Sequence, residues 1–384
     1  MRQKTHLARR TLLFGGAAGL MAAPYRPRRK YRVVVIGHTG RGNYGHSWEM
    51  AWREIPEAEV VAVADPDEGG RSKAMARCGA RRGYAGYVDM IAKEKPDIVT
   101  IGPRWLDQRV DMVRAATDAG AHILMEKPFA RSVGEADQLV AMIERNGVKA
   151  QVGHSARVMP VTPRARDLVA GGQLGTLMEI RARGKEDRRA GGEDMMVLGT
   201  HCFDLMRYFA GDPQWVFAHM TQQGTEVRPS MLREASEPIG PIAADNIAAM
   251  FLFPGGVHGY FGSMANDVKT GRRFGVTLKC SKGYVVVPLN DVPSAPPWVL
   301  RNAAWVPEKG EGWERVEYPP EPRMDKRERV NHLMALDLVE AIETGREPIC
   351  SARDGRWTVE MVSAIYQSQM SGGKVAFPVK KRES

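Results

Sequence analysis

Tyr31-Arg32-Val33-Val34-Val35-Ile36-Gly37-His38-Thr39-Gly40-Arg41-Gly42-Asn43-Tyr44-Gly45 is the stretch on which the fold turns. An apolar, β-branched run breaks directly into glycines, which reads as a strand followed by a loop whose backbone approaches a ligand closely. The stretch after it is predicted to open a helix, whose unsatisfied N–H groups and positive dipole end would receive a pyrophosphate. Against the G-x-G-x-x-G template, Gly37 and Gly42 match, the middle position is Thr39, and Gly40 follows one residue later. Gly37, His38, Thr39, Gly40, Arg41 and Gly42 are therefore the candidate dinucleotide contacts on this loop.

Outward from the loop, β-branched runs recur at Glu59–Ala64, Ile98–Ile101, His122–Met125 and Lys149–Val152, with helical spacing at 110–116 and 133–143 between them. Alternation of this kind predicts a parallel sheet covered by helices on both faces, a doubly wound Rossmann domain. Asp65 ends the second run, 28 residues after Gly37, where an acid can accept from ribose hydroxyls and repel a 2′-phosphate. That favours NAD, and Arg71 keeps NADP open.

Past residue 155 the pattern changes to extended runs at Met178–Ala182, Ala248–Phe253, Val257–Phe261 and Gly275–Lys279, with Pro254-Gly255-Gly256 as a turn between neighbours. The expectation is an α/β chain: residues 31–154 form the Rossmann domain, and 155–384 form an α+β domain with a largely antiparallel open sheet. Helical patterns at 330–344 and 358–370 should pack back across the domains, and Pro288–Pro322 should run over the surface.

The chain has 384 residues and a formal net charge of +10, of which residues 1–30 carry eight Lys or Arg and no acid. The remainder is near neutral, without a basic stripe or interleaved aromatics, which argues against nucleic acid. Cys78, Cys202, Cys280 and Cys350 are widely spaced and suggest neither a metal site nor a disulfide framework. Ala8-Arg9-Arg10-Thr11-Leu12-Leu13-Phe14 and the apolar stretch to Ala23 read as a twin-arginine export signal, too short to anchor in a membrane. Residues 1–30 are thus expected to be a signal and basic linker, the destination periplasmic or otherwise exported; a cytoplasmic tail is the alternative.

Ligands of open parallel sheets sit at the carboxyl ends of the strands, so Pro103-Arg104-Trp105, Glu126-Lys127-Pro128 and Gly153-His154 are the next residues to inspect. The first group, Glu126 and Lys127 join the cofactor candidates. Gly37–Gly45, Val63-Ala64-Asp65, the run Ala119–Pro128 ending in Glu-Lys-Pro, and Gly199-Thr200-His201-Cys202-Phe203-Asp204 together resemble the Gfo/Idh/MocA family, which includes glucose–fructose oxidoreductase and inositol dehydrogenase. The likeness runs from about residue 31 to Gly373–Pro378, and the Glu-Lys-Pro tripeptide is its most specific element.

The resemblance implies hydride exchange between a sugar or polyol carbon and nicotinamide, and a second domain whose open sheet often mediates homo-oligomerisation. It makes Lys127 and His201 the catalytic pair, either of which could be the base. Where the family commonly has Asp, four positions before His201, this chain has Val197. Glu193, Asp194 and Asp204 are nearby acids and substrate candidates, together with His154 and Arg157; Arg109 stands where members often carry His. Thr200 is expected to cap a helix that places His201 at its first turn, with Gly211 as its stop.

Three functions follow. The first is an NAD(P)-dependent oxidoreductase acting on a sugar, polyol or sugar derivative. Because free NAD is not expected outside the cytoplasm, the second is a redox-neutral glycoside hydrolase or lyase with tightly held NAD, a chemistry the resemblance allows. The third is a non-catalytic dinucleotide or sugar sensor.

Overall fold

The computed structural model describes residues 30–266, 273–290, 296–304, 306, 308–316 and 326–380. The proposed export signal lies outside these residues, as does part of the Pro-rich stretch.

The first sheet contains β1 (Tyr31–Ile36), β2 (Ala58–Ala64), β3 (Arg82–Tyr84), β4 (Ile98–Ile101), β5 (His122–Met125) and β6 (Ala150–Val152). All are parallel, in the order β3-β2-β1-β4-β5-β6. β3 carries Gly and Arg instead of a β-branched run, so composition does not mark it as a strand. Helices α1 (Glu68–Cys78), α2 (Tyr87–Glu94), α3 (Arg109–Asp118) and α4 (Val133–Arg145) connect the strands. The order reverses between β1 and β4, which opens a crevice beyond their carboxyl ends.

One expectation fails beside that crevice. No α-helix follows β1; the chain runs through turns and a single 3-10 turn, Trp48–Met50. Left-handed backbone at Asn43, Ser47 and Glu54 interrupts helical continuity. The support comes instead from the far end of the chain. Helix α8 (Lys326–Thr344) buries Met334, Ala335, Leu338 and Val339 in the first core, and Asn331 donates to the carbonyl of His46 at 2.8 Å.

The second sheet comprises β7 (Leu177–Arg183), β8 (Trp215–Gln222), β9 (Thr225–Glu226), β10 (Asn246–Leu252), β11 (His258–Met264), β12 (Gly275–Cys280), β13 (Gly283–Pro288), β14 (Trp298–Leu300), β15 (Glu314–Arg315) and β16 (Val375–Ala376). Its order is β15-β14-β13-β12-β7-β11-β10-β8-β16, with β9 beside β8. Pairing is antiparallel throughout except between β7 and β11. Burial alternates along β8 and β10, the mark of a sheet with one packed face. Val216, Ala218, Met220 and Phe251 point into that second core. Helix α5 (Val161–Ala170) precedes β7, and α9 (Ala352–Ser371) packs on both β8 and α4, bridging the two sheets. Among the described residues no helix is long and apolar enough to cross a membrane.

After β7, a short α6 (Gly192–Asp194) runs through a π turn, Met195–Gly199, directly into α7 (Thr200–Ala210). Thr200 therefore lies inside a continuous helical segment and does not cap it; its hydroxyl is buried without a partner among the described residues. Gly211, with φ 80°, does end α7.

Candidate active site

The loop after β1 stands at the mouth of the crevice with its tip, Thr39, Gly40 and Asn43, exposed. It is tied to the loop after β4. Arg41 pairs with Asp107 and lies 4.9 Å over the ring of Trp105, and His38 Nδ1 is 3.3 Å from Gln108 Oε1. Gly42 has φ 82°, and a Cβ there would fall 2.6 Å from the amide nitrogen of Arg104, so only glycine lets the loops approach this closely. An exposed, glycine-turned tip over the β1–β4 reversal fits a dinucleotide lying across the tip.

Asp65 follows β2. Its fully buried carboxylate faces the Gly-rich loop, accepting from Thr39 N at 3.1 Å, Thr39 Oγ1 at 2.7 Å and Asp67 N at 3.0 Å. It braces the loop. Arg71 donates to the Asp65 carbonyl at 2.6 Å.

At the end of β5, Glu126 is buried and saturated. One oxygen accepts from Lys127 N at 2.9 Å, the other from His46 N at 2.9 Å, His46 Nδ1 at 2.6 Å and Trp48 Nε1 at 2.8 Å. Burial opposes its charge, but His46, Lys127 and Trp48 prevail and hold its carboxyl down at about 2. Glu126 thus anchors the β1 loop to the turn that presents Lys127. Arg109 locks the same turn, donating to the carbonyls of Glu126, of Pro128 at 3.3 Å and of Pro103 at 2.9 Å. Burial brings its guanidinium down to about 10, partly offset by Glu126.

Lys127 is buried against the second domain, where Nζ donates to the backbone carbonyl of Val197 at 2.9 Å. Burial lowers its pKa, Glu126 and Glu237 oppose the fall, and Arg189 and Arg104 assist it. His201, partly exposed on α7, is pushed well below the ordinary imidazole value by burial and then by Lys127 and His154. His154 meets it edge to face, ring centroids 5.5 Å apart. Nδ1 of His201 and Nε2 of His154 are both buried without a hydrogen-bond partner among the described residues. Uncharged nitrogens without protein partners beside a buried amine are suited to accept and donate protons at a substrate oxygen.

The remaining substrate candidates are engaged elsewhere. Asp204 clamps Arg157 in a bidentate pair at 2.8 and 2.7 Å, and Arg157 also reaches Asp354 at 3.1 Å and the carbonyl of Ile349 at 2.6 Å. Although burial works against the guanidinium, Asp204 and Asp354 hold its pKa above the ordinary range. This pair joins α7 to the turn before α9 and engages both carboxylate oxygens. Asp194 accepts from Ser263 Oγ at 2.6 Å and from the amides of Lys185 and Glu186 at 3.1 Å each; Glu193 accepts from Ser236.

His154, Asp204 and Cys350 gather within 4.8 Å, a grouping that sequence spacing cannot reveal. Arg157 already neutralises Asp204 there and disfavours a cation. Sequence reading also missed Glu237, which reaches from the loop before β10 to within 3.6 Å of Arg104. No motif marks it, because the contact exists only after the second domain folds over the first.

Comparison with known proteins places this geometry. Residues 31–154 match the family model described as an oxidoreductase family with an NAD-binding Rossmann fold, and 162–286 match the Gfo/Idh/MocA C-terminal domain. D-xylose 1-dehydrogenase (NADP(+)) 2 of Haloferax volcanii is 30% identical over 200 residues, covering 49% of this chain and 61% of that protein. D-apiose dehydrogenase of Paraburkholderia graminis is 30% identical over 206 residues, covering 51% of this chain and 54% of that protein. The matched stretch thus spans little more than half of these relatives. In fold, the chain is similar to levoglucosan dehydrogenase in complex with NADH and levoglucosan, with a TM-score of 0.74 and 19% identity over 91% of this chain and 100% of that one. Aldose-aldose oxidoreductase from Caulobacter crescentus, complexed with glycerol, gives a TM-score of 0.69 and 21% identity over 91% and 100%.

Proposed function

The chain belongs to the Gfo/Idh/MocA oxidoreductase family, and from that premise we propose that it is an NAD(P)-dependent dehydrogenase acting on a CH–OH group of a sugar, polyol or sugar derivative. The observation that carries this reading is the convergence of the Lys127 amine with the unpartnered nitrogens of His201 and His154 at the carboxyl ends of the strands. Oxidising a carbinol requires its O–H proton to leave as its C–H pair departs as hydride. Lys127 and His201 are placed to take that proton and to hydrogen-bond the developing carbonyl oxygen. A nicotinamide bound in the crevice would supply the hydride acceptor; the Gly-rich loop from Gly37 to Gly42, with Pro103, Arg104 and Trp105 opposite, would hold the dinucleotide. Two of the relatives are named as pentose dehydrogenases, which supports a sugar as substrate.

The test is reduction of NAD or NADP, followed by absorbance, across a panel of aldoses, polyols and sugar acids. Stoichiometric reduced cofactor from a free sugar is expected, with turnover reduced about 10²- to 10⁴-fold by Lys127→Met. Cleavage of a glycoside without net reduction, or full turnover in the Lys127 variant, would contradict this reading.

Two further parts of the proposal concern assembly and location. The outer face of the second sheet exposes Phe217 and Met264 across a shallow groove of about 840 Å³, consistent with a homo-oligomer formed through that face. The Arg9-Arg10 segment supports export of the folded protein.

A further inference from the structure

The loop that carries Glu237 is pinned at several points. Its base closes through a bridge in which Arg233 N donates to Ile242 O at 2.9 Å and Ile242 N to Arg233 O at 2.8 Å. Within it, Ser236 donates to Glu193 from its hydroxyl and, at 3.4 Å, from its amide. Ile239 N closes a tight turn on Glu237 O at 2.8 Å, and the Ile239 side chain is buried in the second core. Glu193 lies on α6, in the helical segment that continues through α7 and carries His201. Glu237 and His201 are thus positioned from one segment.

This placement leaves one carboxylate oxygen unused. Glu237 Oε1 lies 3.6 Å from Arg104 Nη2, while Oε2 is buried with no hydrogen-bond partner among the described residues, and Arg104 Nε is in the same condition. Both side chains bear on the charge of Lys127, as does Arg189, so all three lie near the amine. Arg189 is already answered by Asp187, whose two oxygens take its Nε at 3.0 Å and its Nη2 at 2.6 Å. Glu126, the other acid acting on Lys127, is saturated by His46, Trp48 and the Lys127 amide. A buried polar atom without a partner is costly, so its retention calls for a functional reason.

We propose that Glu237 and Arg104 form a hydroxyl-recognition subsite near Lys127, which selects neutral polyhydroxy substrates over sugar acids and amino sugars. An ionised carboxylate only accepts and a guanidinium only donates. A hydroxyl does both, so a single hydroxyl or a vicinal pair donates to Oε2 and accepts from Arg104 Nε. The carboxylate of a sugar acid has no donor for Oε2 and is repelled by it. The ammonium of an amino sugar has no acceptor for Nε and meets Arg104, Arg189 and Lys127. Glu237 touches no reacting bond in this arrangement. It is a specificity residue, acting at a hydroxyl other than the one that Lys127 and His201 receive.

The inference rests on the dehydrogenase reading for its setting, and its test reads binding. The NAD-loaded protein is titrated calorimetrically with D-xylose, D-glucose and myo-inositol, with D-gluconate and D-glucuronate, with D-glucosamine, and with the monodeoxy analogues of whichever neutral compound binds. A neutral compound should bind at least about tenfold more tightly than the acids or the amine. Removing one of its hydroxyls should cost wild type about ten- to a hundredfold in affinity, the worth of a hydrogen bond to a charged group, and should cost Glu237→Ala nothing. Glu237→Gln keeps the shape and removes the like charge, so it should raise the affinity for gluconate relative to the neutral compound by about tenfold.

The proposal is overturned if no neutral compound binds, if the acids or the amine bind wild type as tightly, or if Glu237→Gln leaves the gluconate ratio unchanged. It is equally overturned if Glu237→Ala loses affinity for the neutral compound and all its deoxy analogues by one common factor, the pattern of a merely structural role. Binding with the expected pattern but no reduced cofactor would instead count against the dehydrogenase reading and leave the subsite standing. Reduced cofactor formed from sugar acids alone would do the reverse.

Discussion

His154 is a fully buried imidazole with one nitrogen 3.6 Å from Cys350 Sγ and the other unpartnered among the described residues. Burial dominates its titration and brings it down to about 4, with Asp204 opposing and Lys127 and Arg157 assisting. The folded value lies below the unfolded one of about 6.5, so protonation favours the unfolded chain. The contribution is intact above about pH 6.5 and is lost as pH falls toward 4, on the order of 3 kcal/mol in all. His154→Leu should flatten the stability profile across that window, measured by urea unfolding at fixed pH steps; an unchanged slope would show that His154 is not the group responsible. The same residue marks how far a sequence can be read. Its place after the sixth strand of the first sheet is visible from the apolar run before it. Its partners are not, because Cys350 lies 196 positions away and meets it only through tertiary packing.

Among elements, strands and crossovers were legible because period and composition report burial directly: β1, β2, β4, β5 and β6 coincide with β-branched runs that are buried along most of their length. Two elements were not. The segment after β1 carries helix-compatible residues, Trp48-Glu49-Met50-Ala51-Trp52, but left-handed backbone at Asn43 and Ser47 and the docking of α8 override local preference. The π turn is equally invisible, since its sequence, Met195-Met196-Val197-Leu198-Gly199, has ordinary helix formers until its glycine. The Gly-rich loop offers a discriminating experiment at this scale. Gly40 and Gly42 share a positive φ, 81° and 82°, but a Cβ at 40 meets open space while one at 42 meets the backbone of Arg104 and Trp105. Gly40→Ala should therefore cost the ligand-free fold only the backbone strain, about 1 kcal/mol. Gly42→Ala should add displacement of the β4 loop and weaken dinucleotide binding by more than about tenfold. Calorimetric titration with NAD separates the two; equal losses would mean the loop contact has no part in binding.

Across the whole molecule, the chain's last stretch completes its first domain. Met334, Ala335, Leu338 and Val339 of α8 are buried in the same cluster as β1, β2 and β4, while Val359, farther on in α9, joins them. Asn331 holds the carbonyls of His46 and Ser47, the residues by which the Gly-rich loop reaches Glu126. Lys127 is thus supported through Glu126 and His46 by a helix some 200 positions away, while its amine is received by the other domain at Val197. Neither half of the site is complete without the other, which is why motif reading found the residues but not their arrangement. This coupling makes Leu338→Ala informative: it should cost about 2 to 5 kcal/mol and, because α8 closes the first core and braces the loop, should lower both the unfolding midpoint and the affinity for NAD. Amide hydrogen exchange resolved by peptide should show protection falling together in both sheets. Peptides of the first sheet that lose protection while those of the second keep theirs would show the domains to be thermodynamically separate, with α8 stabilising only the first.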